Sequence, residues 1–203
     1  MVQTPAQSET ETLLLNLPKT LTLYVTPEQF AALAASNREL QLERTAKGEL
    51  IVNPPTGWET GRRNFSIIGQ LHRWYEENKQ GEAFDCSTGF NLPNGANRSP
   101  DAAWISPERW DALTDEQKGT FANICPDFVV ELRSSSDTLK SLQEKMREYI
   151  DNGARLGWLI DPQNRTVQVY RVGVDVEVLS NPVELSGEEV LPGFVLNLPR
   201  VWA

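Results

Sequence analysis

Ser99-Pro100-Asp101-Ala102-Ala103-Trp104-Ile105 and Pro126-Asp127-Phe128-Val129-Val130-Glu131-Leu132-Arg133 are two short apolar segments tipped by acids. Behind them runs Leu142-Gln143-Glu144-Lys145-Met146-Arg147-Glu148-Tyr149-Ile150. The first two read as strands and the third as an amphipathic helix. Asp101 opens its strand and Glu131 lies near the end of its own. If the strands are antiparallel neighbours, both carboxylates meet at one end of a sheet. Two such carboxylates can hold a divalent metal, and a nearby lysine can activate a water or steady a phosphate. That is the equipment of a metal-dependent phosphodiesterase.

Mg²⁺ takes octahedral oxygen ligation and keeps several waters. Asp101, Glu131 and one backbone carbonyl, naturally that of Leu132, would suffice; Mn²⁺ is the alternative ion. The competing reading makes Asp101 a turn cap and Glu131 a surface acid. Against it, Glu131 follows Phe128–Val130, a run expected to be buried, and a carboxylate there needs a partner. On a helix with about 100° per residue, Leu142, Met146, Tyr149 and Ile150 share one face. Lys145 falls at the edge of that face beside Tyr149, so its stem can pack while its ammonium reaches past a strand end. A snorkelling surface lysine is the plainer alternative. Asp127 is a rival first acid, but it would lie roughly 13 Å from Glu131 along one strand, too far to share an ion. It belongs to the opposite strand end.

Outward from this centre, residues 1–20 read as a flexible arm and residues 21–203 as one domain. Thr26-Pro27-Glu28-Gln29 is a capping-box helix start. Glu39–Arg44 and Glu49–Val52 alternate around Lys47-Gly48, a hairpin. A helix is expected over 60–78, its apolar face built from Phe65, Ile68, Leu71, His72 and Tyr75. Glu59 sits at its start, where the helix dipole favours an acid. A strand over 83–90 and an Asn94-Gly95 turn precede the Asp101 strand. Ser141-x-x-Glu144 or Asp137 would cap the Lys145 helix, which Asn152-Gly153 ends. Leu156–Ile160 reads as a buried central strand, 166–170 as another, and 174–198 as further hairpin. The order predicts an α/β fold, a mixed β-sheet flanked by helices, with an N-terminal helix and hairpin and a C-terminal hairpin added.

Composition constrains the function. The chain has 203 residues, 39% hydrophobic and 23% charged, with a formal net charge of −9. The acidity opposes tight, non-specific DNA binding. Residues 57–156 hold 12 basic and 16 acidic groups, so the deficit persists where the candidate site lies. No apolar run is long enough to cross a membrane, and the first residues lack a signal peptide's basic segment; a cytoplasmic location is expected. Cys86 and Cys125 read as buried free thiols. One histidine, His72, makes His-based triads and zinc cages within the chain unattractive; it reads as packed or at an interface. Arg62-Arg63 could meet a phosphate backbone or simply face solvent. The six tryptophans suggest core and interface.

Asp101 followed by Glu131-x-Arg133, within a helix, three-strand, helix, strand order, resembles the PD-(D/E)XK nuclease superfamily. The motif's usual lysine position holds Arg133, a poor general base. Lys145 would be its migrated substitute. Pro126–Ser134 with Asp137, Lys145, Tyr149, Gly153 and Trp158–Pro162, together with Gly48–Gly57 and Leu92–Asp101, resemble the Uma-two-type family of restriction endonucleases over most of residues 21–198. The resemblance implies a restriction-endonuclease-like core at about 57–172, a bound Mg²⁺ or Mn²⁺, DNA as substrate and a homodimer. It also implies that Glu59, on the first long helix, joins Asp101, Glu131 and Lys145. Arg133 and the net charge leave two other readings open: a non-catalytic nucleic-acid-binding or regulatory module, and a structural homodimer.

Overall fold

The structure is a computed structural model, and it describes residues 21–119 and 121–203; the expected arm lies outside these. The elements begin with α1 (Pro27–Ser36), β1 (Gln41–Arg44), β2 (Leu50–Asn53), α2 (Trp58–Asn78) and β3 (Glu82–Asp85). There follow β4 (Phe90–Asn91), β5 (Asn97–Arg98), β6 (Ala102–Ile105), α3 (Pro107–Asp111), α4 (Asp115–Lys118), β7 (Phe128–Leu132) and α5 (Leu139–Asp151). The chain closes with β8 (Leu156–Asp161), β9 (Thr166–Arg171), β10 (Glu177–Ser180), β11 (Glu184–Ser186), β12 (Val195–Asn197) and α6 (Pro199–Trp202).

Six strands form the main sheet, ordered β10-β9-β8-β7-β6-β3. Among the described residues only β7 and β8 run parallel, with α5 as their crossover. They are the central pair, and every residue of both is buried, as expected for strands covered on both faces. A smaller sheet, β2-β1-β5-β4, stands beside it. The expected hairpin pairs Arg44 with Leu50. Gly48 makes its turn at φ 91°, a left-handed conformation that favours glycine, and a Cβ there would sit 3.1 Å from the Val25 carbonyl oxygen. Thr26 and Gln29 form the capping box of α1.

Side chains of the central strands alternate between two cores. Phe128, Val130, Trp158 and Ile160 face α2, the β11–β12 hairpin and α6. Val129 and Leu159 face α5, whose Leu142, Met146 and Tyr149 pack against them. The approach of α5 is close: a methyl group on Gly157 would come within 2.4 Å of Met146 Cε. By the same alternation Glu131 points to the α5 side. Burial of each large apolar side chain contributes about 1.5–3 kcal/mol, and the two layers together fix α5 over the end of β7.

Several expectations are corrected. The buried stripe of α2 is Ile67, Leu71 and Trp74, while Phe65 is 80% exposed and His72 is exposed. The aromatic Trp74 won because its indole N–H reaches the Pro192 carbonyl at 3.0 Å and its ring meets Trp104. The 83–90 strand breaks at Asp85, which accepts from the Ser87 N–H in a turn. Thr138, not Ser141 or Asp137, caps α5; Asp137 instead binds the N–H and hydroxyl of Ser134. The 174–198 stretch is hairpin as expected: β10 returns antiparallel onto β9, and β11 and β12 pair with each other. Cys86 is half-buried, while Cys125 is buried.

Candidate metal and phosphodiester site

β6 and β7 are antiparallel neighbours, Ala102 facing Val130. The start of β6 and the end of β7 therefore share one end of the sheet. There Asp101 Oδ2 accepts the Leu132 N–H at 2.7 Å, tying the first acid to the residue after the second. Its other oxygen accepts from Asn64 of α2 at 2.8 Å. Glu131, 5% exposed, receives the Lys145 ammonium at 2.8 Å and the Tyr149 hydroxyl at 3.0 Å, both on Oε1. Lys145 and Tyr149 are one helical turn apart on the edge of α5 nearest β7, which is why one side chain of the strand meets both. Asp101, Glu131, Leu132 and Lys145 line one cleft of about 1000 Å³.

A third carboxylate joins them. Glu43 of β1, 3% exposed, holds Lys145 on Oε1 at 2.8 Å. The same oxygen accepts the Ser99 N–H at 3.0 Å, and Oε2 pairs with Arg98 at 3.2 Å. Arg98 in turn binds Glu148 at 2.6 Å. The result is a chain of alternating charge, Glu148, Arg98, Glu43, Lys145, Glu131, that crosses from the small sheet to the main one.

Electrostatics follow from this ledger. Burial pushes the Glu131 carboxyl up to about 7 despite Lys145 beside it, and the charges of Asp101 and Glu43 act in the same direction. Burial likewise raises Asp101, against the pull of the Leu132 N–H and Lys145. Burial alone would lower Lys145, but Glu131 and Glu43 outweigh it and hold the ammonium well above its ordinary value. Glu43 is lowered, because Lys145 and Arg98 overcome its burial. One ammonium shared by two carboxylates cannot offset both, and Arg98 supports Glu43 while nothing equivalent supports Glu131. With all four carboxylates ionised, Glu43, Asp101, Glu131 and Glu148 against Lys145 and Arg98 leave two negative charges, the complement of one divalent cation.

The donor set fits a hard cation: carboxylate oxygens, with Glu131 Oε2 left over once Oε1 has taken Lys145 and Tyr149. Asn64 Oδ1, beside Asp101, is a buried acceptor without a protein donor. Among the described residues no three or more His, Cys, Asp or Glu side chains form a ready cage. Coordination would therefore rest on two carboxylates and solvent. The structure shows Leu132 acting through its N–H, as the link to Asp101.

Glu59 does not join the cluster. It lies at the cleft mouth, its carboxylate held by Arg62 at 3.3 Å and Arg63 at 3.2 Å, and it is 70% exposed. The residue of α2 that reaches Asp101 is Asn64, one turn further along. Arg62 and Arg63 do not stand free for a backbone phosphate; they clasp the C-terminal carbonyls of Val201 and Ala203. Arg133, at the edge of the cleft, is bound to Asp161 at 2.8 Å. Asp127, at the far strand end, accepts the Ser106 N–H and pairs with Arg109. Trp58 is 95% exposed at the cleft mouth, so not every tryptophan is core.

A family profile, Uma2, described as "Putative restriction endonuclease", matches residues 27–199. Among solved structures the chain is similar to one described as a "putative nuclease belonging to DUF820" from Anabaena variabilis. The TM-score is 0.72 at 21% identity, over 88% of this chain and 97% of that one. At that identity the likeness establishes the fold, a restriction-endonuclease-like mixed sheet. Comparison with curated proteins gives no match.

Proposed function

This chain belongs to the Uma2 family, and from that premise we propose that it is a divalent-metal-dependent endonuclease hydrolysing phosphodiester bonds in DNA. The observation that carries the proposal is the meeting, at one end of the β6–β7 pair, of Asp101, Glu131 and a doubly paired Lys145. Asp101 and Glu131 would hold Mg²⁺ or Mn²⁺, which supplies a Lewis acid for the scissile phosphate. Leu132 fixes the rotamer of Asp101 through its N–H, and Tyr149 fixes that of Glu131. Lys145, held firmly protonated by its two carboxylates, acts as a donor and a positive charge toward a phosphate oxygen or the attacking water. It is not suited to take a proton. α5 and the small sheet wall the site on two sides, which limits solvent around these charges.

A second reading has its own support. Eight acidic side chains line the cleft against four basic ones, and one divalent ion neutralises only part of that excess. A module that kept the fold and lost the chemistry would tolerate such a cleft. Nuclease assays with Mg²⁺ and with Mn²⁺ on duplex, branched and single-stranded DNA decide between the two. Cleavage by the wild type that Asp101→Asn, Glu131→Gln and Lys145→Met each abolish supports the enzyme. Cleavage unaffected by all three is a contaminant, and binding without cleavage supports the module. The cytoplasmic location and the homodimer stay with the proposal as expectations; among the described residues no helix is long and apolar enough to cross a membrane.

A further inference from the structure

Glu43 is a buried carboxylate to which the metal reading gives no ligand's role. It sits on β1, in the small sheet, yet it shares the Lys145 ammonium equally with Glu131, 2.8 Å to each. Building on the metal-site reading above, we propose that Glu43 is a positioning residue, the berth that retains Lys145 at the site while Glu131 serves a divalent cation.

The argument begins with competition. An ammonium and a metal ion on one carboxylate repel each other strongly in a low-dielectric cleft. Lys145 must then yield Glu131, at least in part, or exclude the metal. Without a second anion it would leave the cleft or hold Glu131 against the ion. Glu43 supplies that anion from the opposite side.

Its own orientation does not depend on the lysine. The Ser99 N–H holds Oε1 at 3.0 Å and Arg98 holds Oε2 at 3.2 Å, with Arg98 anchored by Glu148. The berth therefore stays in place whichever way Lys145 leans. Tyr149 offers only its ring, 5.9 Å from the ammonium, and its hydroxyl is committed to Glu131.

The test is calorimetry with Mn²⁺ on the wild type, Glu43→Gln, Lys145→Met and the double variant, with Asp101→Ala as a control. Glu43→Gln keeps the shape and the Ser99 hydrogen bond; a thermal melt of each variant without metal confirms folding. Loss of Glu43 is expected to weaken Mn²⁺ binding about ten-fold, the lower end for groups that orient a metal's ligands. Lys145→Met, which removes the competing cation, should tighten it. In the Lys145→Met background the Glu43 substitution should then change affinity less than about two-fold, because Arg98 already balances that carboxylate. Glu43→Asp, with its charge retained one methylene short, should fall between wild type and Glu43→Gln.

An equal loss in both backgrounds overturns the proposal by making Glu43 a ligand itself. A lowered melting temperature with unchanged Mn²⁺ affinity overturns it by making Glu43 merely structural. A wild type that binds no Mn²⁺, or binds it as well after Asp101→Ala, overturns the metal reading and this proposal with it. Binding that depends on Asp101 but not on Glu43 overturns this proposal alone.

Discussion

Lys145→Met removes the cation at the centre of the charge chain and leaves the packing of its stem. Two buried carboxylates each lose a partner at 2.8 Å. Breaking a buried pair by deleting one member costs about 3–5 kcal/mol. The two losses are unequal. Glu43 keeps Arg98 and the Ser99 N–H, while Glu131 keeps only the Tyr149 hydroxyl. Most of the cost therefore falls on Glu131, and a total near the lower bound, about 3 kcal/mol, is expected at pH 8. For a domain of this size that is a fall of about 6–12 °C in melting temperature. Urea denaturation of the wild type, Lys145→Met, Glu131→Gln and the double variant measures it. Glu131→Gln in the Lys145→Met background should restore most of the loss, because the amide retains the Tyr149 hydrogen bond and carries neither a stranded charge nor the cost of the proton that would neutralise it. Catalysis should not return with stability. A loss under about 1 kcal/mol, the range of exposed pairs, would refute the reasoning, as would a double variant no more stable than Lys145→Met.

Other consequences are simpler to check. Burial pushes the Cys125 thiol up to about 12, so a thiol reagent at pH 8 should modify Cys86 first and reach Cys125 only on unfolding, as mass spectrometry would show. Gly157→Ala should destabilise by about 1–3 kcal/mol in urea, since Met146 Cε stands where the methyl would go; combined with Met146→Ala, itself costly because Met146 is fully buried, the loss should be less than the sum of the two single losses. Asp161 is buried, and although burial raises its carboxyl, hydrogen bonds from Asn164 and Arg133 outweigh this and hold it below its ordinary value. Its contribution is thus present above the unfolded value of 3.8 and lost as pH falls through the lower folded one. Asp161→Asn should cost about 2 kcal/mol at pH 7, with the gap from wild type closing in acid, followed by denaturation at a series of pH values.

The parts of this molecule that sequence discloses are those whose causes are local. The run Phe128–Val130 and the run Leu156–Ile160 announce strands covered on both faces. Thr26 and Gln29 announce a helix start, and the spacing of Leu142, Met146 and Tyr149 announces a buried stripe with Lys145 at its edge. Asp101 and Glu131 were found because each is an acid beside apolar strand residues. Glu43 was missed because nothing near it marks burial: it alternates with Glu39 and Gln41 in what reads as a polar edge. Its partners, Arg98 and Lys145, are 55 and 102 residues away. The error over Phe65 and His72 has the same root. A helix pattern with apolar residues at several spacings admits two faces, and only the sheet chooses between them. Glu59 was named because related folds place an acid on this helix, whereas the side chain of α2 that donates to Asp101 is the amide of Asn64, a residue type that carries no such signal.

A hairpin at the border of a domain is ordinarily among the first segments to fray. In this molecule β1 carries Glu43, one anion of the chain that runs through Lys145 to Glu131, and β5 carries Arg98, which joins Glu43 to Glu148. Opening the small sheet would leave Lys145 and Glu148 short of partners in a place where stray charge is costly. The border is thus fastened to the centre by electrostatics rather than by grease. The two sheets should gain and lose their structure in one step, and amide protons of β1 should exchange on the schedule of β7.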